Sequence, residues 1–342
     1  MALGGWRSCV WPDSRVPRIP PSINHPSVKH YTFIDCATQG YLALVGLIIL
    51  CLHGPSVPHW PLLLLAHAAG IGLIHTLIRF QAGHQGSGVL NFLRHFYPVL
   101  LYTGFYCETG ELNHLLVPGF LDPFFIRLEA RLFGGQPSLA FMARLPYLPV
   151  SELFYAGYFS YYVMIVGIGL ALFRQSREQF FHYVSVISFA FYVCYLIYIF
   201  TPAMGPCVFF PDHGGFQLPA DLLPAVPPTF PAAVTSGLFY QLMGWIYRTF
   251  EAPGAAFPSS HVVIAIGTVF FSFRYLRSIR WLHFAVVILL CLATVYCRYH
   301  YAVDVVAGGL TAAVLIPLGN RLYFSFGRMG GPGKPLGGSS PS

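Results

Sequence analysis

The chain reads as an all-α protein, a polytopic transmembrane helix bundle of about eight spans. Three observations predict this. Of its 342 residues, 56% are hydrophobic and only 9% charged, against about 25% charged in ordinary soluble domains. Eight apolar runs approach the roughly 20 residues that a helix needs to cross a bilayer. Lys and Arg are also spread unevenly over the connecting segments, as topology requires of a membrane protein.

The runs follow in order along the chain. The first covers 36–52, and the second, 60–78, opens on Trp60-Pro61, proline being tolerated in a first helical turn. His67 and His75 within it are expected to pack and hydrogen-bond inside the bundle. The third run, 90–108, is the weakest, because Arg94 and Glu108 leave only thirteen uncharged residues between them. Were it not a span, everything N-terminal to it would invert. The fourth, 152–173, is crowded by Tyr158, Tyr161 and Tyr162, expected to pack or hydrogen-bond, and holds the Gly167/Gly169 pair, which allows close helix approach. The remaining runs are 180–200, 259–275, 281–297 and 304–322, the last with the Gly308/Gly309 pair.

Between runs, Phe124 to Phe133 and 234–250 suit helices lying in the interface plane. The proline-rich loop from Thr201 to Pro231 is too long for a simple connector and is expected to roof a site. Residues 1–30 lack the apolar core of a cleavable signal and read as a cytoplasmic tail; 325–342 read as a disordered cytoplasmic tail. The organisation expected is therefore tail 1–30, helices and interfacial segment 31–150, transmembrane core 151–324 and tail 325–342.

The formal charge of +7 raises nucleic acid or anionic lipid as partners, but no basic stripe with interleaved aromatics is present, so nucleic acid is excluded. The basic residues instead report topology. With the N-terminus inside, fourteen of the nineteen Lys and Arg fall on one side, among them Arg7, Arg15, Arg18, Lys29, Arg94 and Lys334. Arg127, Arg131, Arg144, Arg248 and Arg298 fall on the other. Eight cysteines give neither a disulfide framework nor metal-ligand spacing, although Cys107, Cys207 and Cys297 lie near that outer face.

Two polar islands interrupt the apolar pattern: Pro258-Ser259-Ser260-His261, and Arg298-Tyr299-His300-Tyr301-Ala302-Val303-Asp304. Both fall on the outer face, and ionisable groups at such depth are expensive without partners. Ser259 and Ser260 suit an N-cap, whose free N–H groups make an anion site with His261 at its rim. His300 and Asp304 are four apart, so on a helix the carboxylate accepts from one ring nitrogen and leaves the other as a lone-pair nucleophile. Arg298 adds a planar cation suited to phosphate oxygens. The combination points to chemistry on phosphate. Glu108, Glu111, Asp122 and Glu152 read as rim charges, or as partners for headgroup hydroxyls.

These islands resemble the motifs of the type-2 phosphatidic acid phosphatase superfamily, P-S-G-H and S-R-x5-H-x3-D. The chain looks closest to the inositol phosphorylceramide synthase-like branch, with H-Y-x2-D followed by small residues at Gly308-Gly309. The resemblance covers roughly 150–324. It implies a six-helix phosphatase-type core, no metal or cofactor, and a phospholipid or other lipid phosphate as substrate. It also implies His300 as nucleophile, Asp304 orienting it, His261 as acid and then base, and phosphate held by Arg298, Ser259 and Ser260. The family's third-motif serine and arginine align with Ala293 and Thr294, and Thr201 to Cys207 is similar to a P-x2-G-P-R first motif with Cys207 at the arginine position. Arg298 is the expected replacement, with Arg248 or His213 as further sources of charge. Hydrolysis, headgroup transfer and non-catalytic lipid binding or transport all remain open from sequence.

Overall fold

The computed structural model describes residues 31–84, 87–212, 229–250 and 252–329. The expected N-terminal tail, residues 330–342, His213 and the middle of the loop from Thr201 to Pro231 lie outside them, whereas 325–329, expected to be disordered tail, continue the last helix. The described residues form thirteen helices and no strand: α1 (Phe33–Leu52), α2 (Trp60–Gly83), α3 (Gly88–Leu112), α4 (Asp122–Phe133), α5 (Pro137–Arg144), α6 (Leu148–Gln175), α7 (Arg177–Phe200), α8 (Pro206–Asp212), α9 (Ala232–Thr235), α10 (Leu238–Phe250), α11 (Ser260–Tyr275), α12 (Arg280–Tyr296) and α13 (Ala302–Met329). All eight apolar runs are helical. Five of the helices, α1, α2, α6, α7 and α13, are long and apolar enough to cross a membrane. Helices α11 and α12 are apolar but have 16 and 17 residues.

Helix α7 is the centre of the bundle, with 72% of its most apolar window buried against 17% for α2. It touches α1, α3, α6, α11 and α13, and α11 and α12 pack on each other and each on both α6 and α13. Helix α3 packs along α7, and α1, which also packs on α7, pairs with α2. Outward positions stay apolar, as Leu73 and Leu282 at 71% exposure illustrate, because the surrounding medium is hydrocarbon rather than water.

The third run is helical over its whole length, but α3 is not among the helices apolar enough to cross a membrane, in line with the weakness its charges predict. Helix α3 passes straight through Arg94, which is buried rather than in a loop. Its guanidinium clamps Asp35 of α1 bidentately, Nη1 to Oδ1 at 2.7 Å and Nη2 to Oδ2 at 2.5 Å. Tyr97 Oη and Thr32 Oγ1 donate to the same carboxylate. A buried charge survives when every lone pair has a donor, so Arg94 counts as a helix partner and not as a loop charge. At the other end, Glu108 is mostly buried against His67 (3.4 Å) instead of lying on a solvated rim. Glu111 is exposed.

The connecting helices belong to the end of the bundle where α11 and α13 begin. Helix α4 turns Phe125, Ile126 and Glu129 inward and leaves Phe124, Leu132 and Phe133 exposed. Helix α10 likewise exposes Leu238 and Trp245. Both patterns fit a helix lying at an apolar surface. Glu152 is not a free rim charge, since its carboxylate accepts from Phe239 N at 3.0 Å at the start of α10. None of the seven described cysteines forms a disulfide.

Candidate active site

The second polar island is shaped by a turn after α12. Arg298 has φ +64°, a left-handed value that is uncommon for a residue with a side chain. The turn lets Tyr299 N and His300 N both return to Thr294 O at 3.1 Å. The chain leaving α12 therefore doubles back toward α11. Gly205 fits beneath this turn at φ +85°, where an added Cβ would stand 2.5 Å from Tyr299 O. Only glycine tolerates both that angle and that approach, which explains the glycine of the Thr201 to Cys207 segment.

Around this turn the 203–205 and 254–256 segments pair through one parallel bridge, with Ala203 N to Gly254 O at 3.1 Å and Ala256 N to Ala203 O at 2.9 Å. Asp122, expected at the rim, is fully buried and braces the assembly. Its carboxylate accepts from Met204 N, Gly205 N and Tyr301 Oη at 2.8, 3.0 and 2.8 Å. Burial raises this carboxyl above its ordinary range, and the three donors pull it back. Glu129 does the same for α13, accepting from Ala302 N at 2.5 Å and Val303 N at 3.3 Å.

The result brings two imidazoles together. His300 Nε2 lies 3.2 Å from His261 Nδ1, although the residues are 39 apart in sequence. His300 precedes α13 rather than sitting on it, so the expected shared helix face with Asp304 is modified. Its Nδ1–H donates to Ala256 O at 2.9 Å, while Asp304 Oδ2 is 3.5 Å away and receives Tyr301 N at 2.8 Å. The nearer partner that fixes the tautomer is thus a backbone carbonyl. Asp304 closes the turn that carries the histidine. Burial lowers His300 to about 4, opposed by the Ala256 bond, so it is neutral near pH 7 and offers a lone pair at Nε2.

The first island also departs from expectation in its free donors. Ser259 Oγ accepts from Val262 N at 3.4 Å as the N-cap, and Ser260 N donates to Tyr198 Oη at 3.1 Å. Val263 N is taken by Ser259 O at 3.1 Å. His261 N remains as the donor of this first turn with no partner among the described residues. The hydroxyl of Tyr158, for which packing or hydrogen bonding was expected, lies 3.0 Å from His261 Nε2 and 3.5 Å from Nδ1. Arg298 is buried, its guanidinium carbon 4.8 Å from the centre of the Phe230 ring and Nη1 3.4 Å from Thr229 O. It neighbours Cys207, whose N–H donates to Arg298 O at 2.6 Å.

Beside His261 lies a cavity of about 380 Å³ between α3, α6, α7, α10 and α11. Tyr102, Tyr106, Tyr161, Tyr162, Tyr195 and Tyr247 line it with aliphatic residues, and Ser260 and His261 reach into it. A site of this kind joins a polar, histidine-bearing end to an apolar hollow, the usual form of a pocket for an amphiphile.

The family model described as the PAP2 superfamily matches residues 124–318. The chain belongs to the PAP2 superfamily. No curated protein and no solved structure shows a match. Membership supports, at the general level, a phosphatase or phosphotransferase activity on lipid phosphates. The match begins inside α4 and thus includes Glu129, whose role nothing in the sequence motifs signals. The bracing role of Asp122 and the carbonyl of Ala256 were equally hidden. A backbone carbonyl leaves no signature in sequence, and a buried acid reads like a surface one.

Proposed function

We propose that the protein is an integral-membrane, metal-independent lipid phosphatase or phosphotransferase working through a phosphohistidine. The observation that carries this reading is the His300–His261 contact at 3.2 Å with His300 Nδ1 already committed to Ala256 O. That arrangement leaves one nucleophilic lone pair facing one proton carrier.

In the first displacement, His300 Nε2 attacks phosphorus and the P–O bond to the lipid alcohol breaks. His261 Nδ1 gives its proton to the departing oxygen. In the second, His261 takes a proton from water or an acceptor hydroxyl, whose oxygen releases the phosphoryl group from His300. An in-line geometry needs roughly 6–7 Å between the two nitrogens, to hold phosphorus and the leaving oxygen between them. His261 must therefore turn away from His300 when substrate enters, and the adjoining cavity provides the room. Asp304 steadies the turn bearing the nucleophile.

Phosphate charge would be met by the N-terminal turn of α11, with Ser259, Ser260 and the His261 N–H. Arg298 supplies the cation. Its placement beside Cys207 favours this, because Cys207 occupies the position where the related motif carries arginine. The cavity supports a lipid ester over free phosphate esters, since its lining is apolar and aromatic. The site is proposed to face the periplasmic or exoplasmic side with both termini cytoplasmic. Arg79, Arg174, Arg177, Arg274, Arg277, Arg280 and Arg321 all lie toward the opposite helix ends, where positive residues are retained.

The test is to expose purified protein in detergent, with chelator, to a panel of lipid phosphates and locate phosphorylated histidine by mass spectrometry. The expected outcome is label on His300, lost in His300→Ala, and accumulating in His261→Ala with an activated ester. Release of alcohol without inorganic phosphate when an acceptor lipid is present would assign headgroup transfer, as in the inositol phosphorylceramide synthase-like branch. Lipid binding without label or turnover on any panel member would refute the enzyme reading in favour of a binding or transport role.

A further inference from the structure

Helix α4 has two faces of different character. One is occupied: Asp122 and Glu129 turn inward and hold the backbone around His300, accepting from Gly205 N, Tyr301 Oη, Ala302 N and Val303 N. The opposite face is bare. Phe124, Arg127, Arg131 and Leu132 are all exposed, Phe124 at 58% and Leu132 at 61%. Residues four apart lie one above the other on a helix, so Arg127 and Arg131 form one edge of this face and Phe124, Leu128 and Leu132 the edge beside it. Neither guanidinium forms an ion pair among the described residues.

Water alone does not suit such a face, because the apolar edge stays unburied. Hydrocarbon alone does not suit it either, because an unpaired guanidinium there is expensive. The boundary between headgroups and acyl chains satisfies both edges, with the rings toward the chains and the cations toward the phosphates. The sign of the charge identifies the lipid. On the proposed topology only five of the nineteen Lys and Arg fall on this side, and two of the five stand on this one helix face. Topology places basic residues on the cytoplasmic side, so it does not account for them; an anionic partner does. The substrate proposed above is itself an anionic lipid, so negative headgroups belong to the leaflet that the site faces.

We propose that the Arg127/Arg131 face of α4 binds anionic phospholipid headgroups of that leaflet, and that this binding seats the turn carrying His300. Glu129 stands between the two arginines in sequence. The helix therefore cannot lift at the arginines without drawing the Glu129 carboxylate from Ala302 N and Val303 N. The lipid held here is a positioning partner, distinct from the ester undergoing reaction. Its effect on turnover rests on the phosphatase reading above; the binding and the seating do not.

The test reconstitutes the full-length chain in phosphatidylcholine vesicles with and without phosphatidylglycerol and follows amide hydrogen exchange by mass spectrometry. An arginine beside an anionic surface is worth about fivefold in binding, so the two together should slow exchange across α4 by up to about 25-fold. The amides of Ala302 and Val303 should slow with it, and high salt should abolish the difference. Arg127→Gln/Arg131→Gln should lose the dependence on phosphatidylglycerol. Arg127→Lys/Arg131→Lys should keep most of it, because a lipid surface attracts charge rather than one shape. Exchange in α4 that ignores phosphatidylglycerol, or responds equally in the glutamine variant, would overturn the proposal. Protection that follows protein density instead of anionic fraction would put a second copy of the chain on this face and overturn it as well. Slowing confined to α4, with Ala302 and Val303 unmoved, would overturn the seating of the turn. The lipid and salt comparisons use the unmutated chain, so they decide the matter even if a variant does not fold. Turnover of a trace lipid phosphate in the same vesicles should gain from phosphatidylglycerol relative to the glutamine variant. No turnover in any vesicle would overturn the phosphatase reading and leave the exchange result standing.

Discussion

Glu129 offers a test in which charge and shape separate. It is fully buried, and its Oε1 receives Ala302 N and Val303 N at the start of the helix that follows His300. Burial raises the carboxyl from 4.5 to about 8, against the two N–H donors and with the Asp304 charge adding to the rise. Between those pH values the folded state holds a proton that the unfolded state has released. Stability must therefore fall as pH rises from about 4.5 to about 8. Glu129→Gln keeps the acceptor oxygen, resembles the neutral acid and does not titrate. At about 1.36 kcal/mol per decade the full effect is roughly 4–5 kcal/mol, and relaxation around a buried group lowers the expectation to about 2–4 kcal/mol. Equilibrium unfolding of both proteins in the same micelles near pH 5 and pH 8 reads it out. The amide variant should gain on the wild type by that amount across the interval, and any other titrating group cancels in the comparison. A gap that does not change with pH would refute the reasoning. Glu129→Ala should lose stability at every pH by about 2 kcal/mol or more, because two buried donors lose their acceptor.

Asp35→Asn and Arg94→Leu should each cost about 3–5 kcal/mol by thermal or denaturant unfolding, whereas the double replacement Asp35→Leu/Arg94→Leu should cost much less; additive losses would show that the pair is not coupled. Gly308→Ala puts a Cβ 2.8 Å from Ser259 O and 3.0 Å from Val262 Cβ, forcing α13 from α11 at about 1–3 kcal/mol and separating the two histidines. Its turnover should fall at least about tenfold, while Gly309→Ala, with open space around it, should retain wild-type turnover. Because burial lowers His300 to about 4, it becomes protonated only as pH falls through that value. The acid limb of kcat/KM should therefore lie near pH 4, and a limb at the ordinary histidine value of 6.5 would remove the nucleophile's burial from the mechanism.

Membrane helices announce themselves through composition, so α1, α2, α6, α7, α11, α12 and α13 were legible, although α2 and α13 run on to Gly83 and Met329, past the ends at 78 and 322 that the apolar pattern marks. The two islands were legible because polar residues at span ends have few reasons to be there. Long-range pairing was not. Arg94 looked like a span breaker because its neutralising partner, Asp35, is 59 residues away on another helix. Asp122 and Glu129 looked like surface charges on an amphipathic segment, and only the fold shows that they hold backbone N–H groups of the 203–205 turn and of α13. The His300–Asp304 spacing correctly placed the two residues within 3.5 Å. It could not reveal that Ala256 O would reach the same nitrogen first, since that carbonyl arrives on a segment 44 residues earlier.

On the proposed mechanism, the distribution of positive charge becomes the distinctive property of this chain. Thr294 stands where the related motif has arginine, and its hydroxyl is spent on Cys291 O at 2.7 Å. Cys207 stands at the other arginine position. A phosphoryl group entering between the imidazoles thus meets Arg298, the partial charge of the α11 N-terminus and the His261 N–H. A helix end contributes about half a unit charge, and Arg298 is a planar fork already directed toward Thr229 O and Phe230. Ground-state phosphate binding should accordingly be weak, with more of the affinity drawn from the apolar cavity. Such a division favours catalysis, because interactions with the remote hydrocarbon position the ester without stabilising its phosphate before reaction. The missing arginines therefore predict dependence on the lipid portion of the substrate more directly than they predict loss of chemistry.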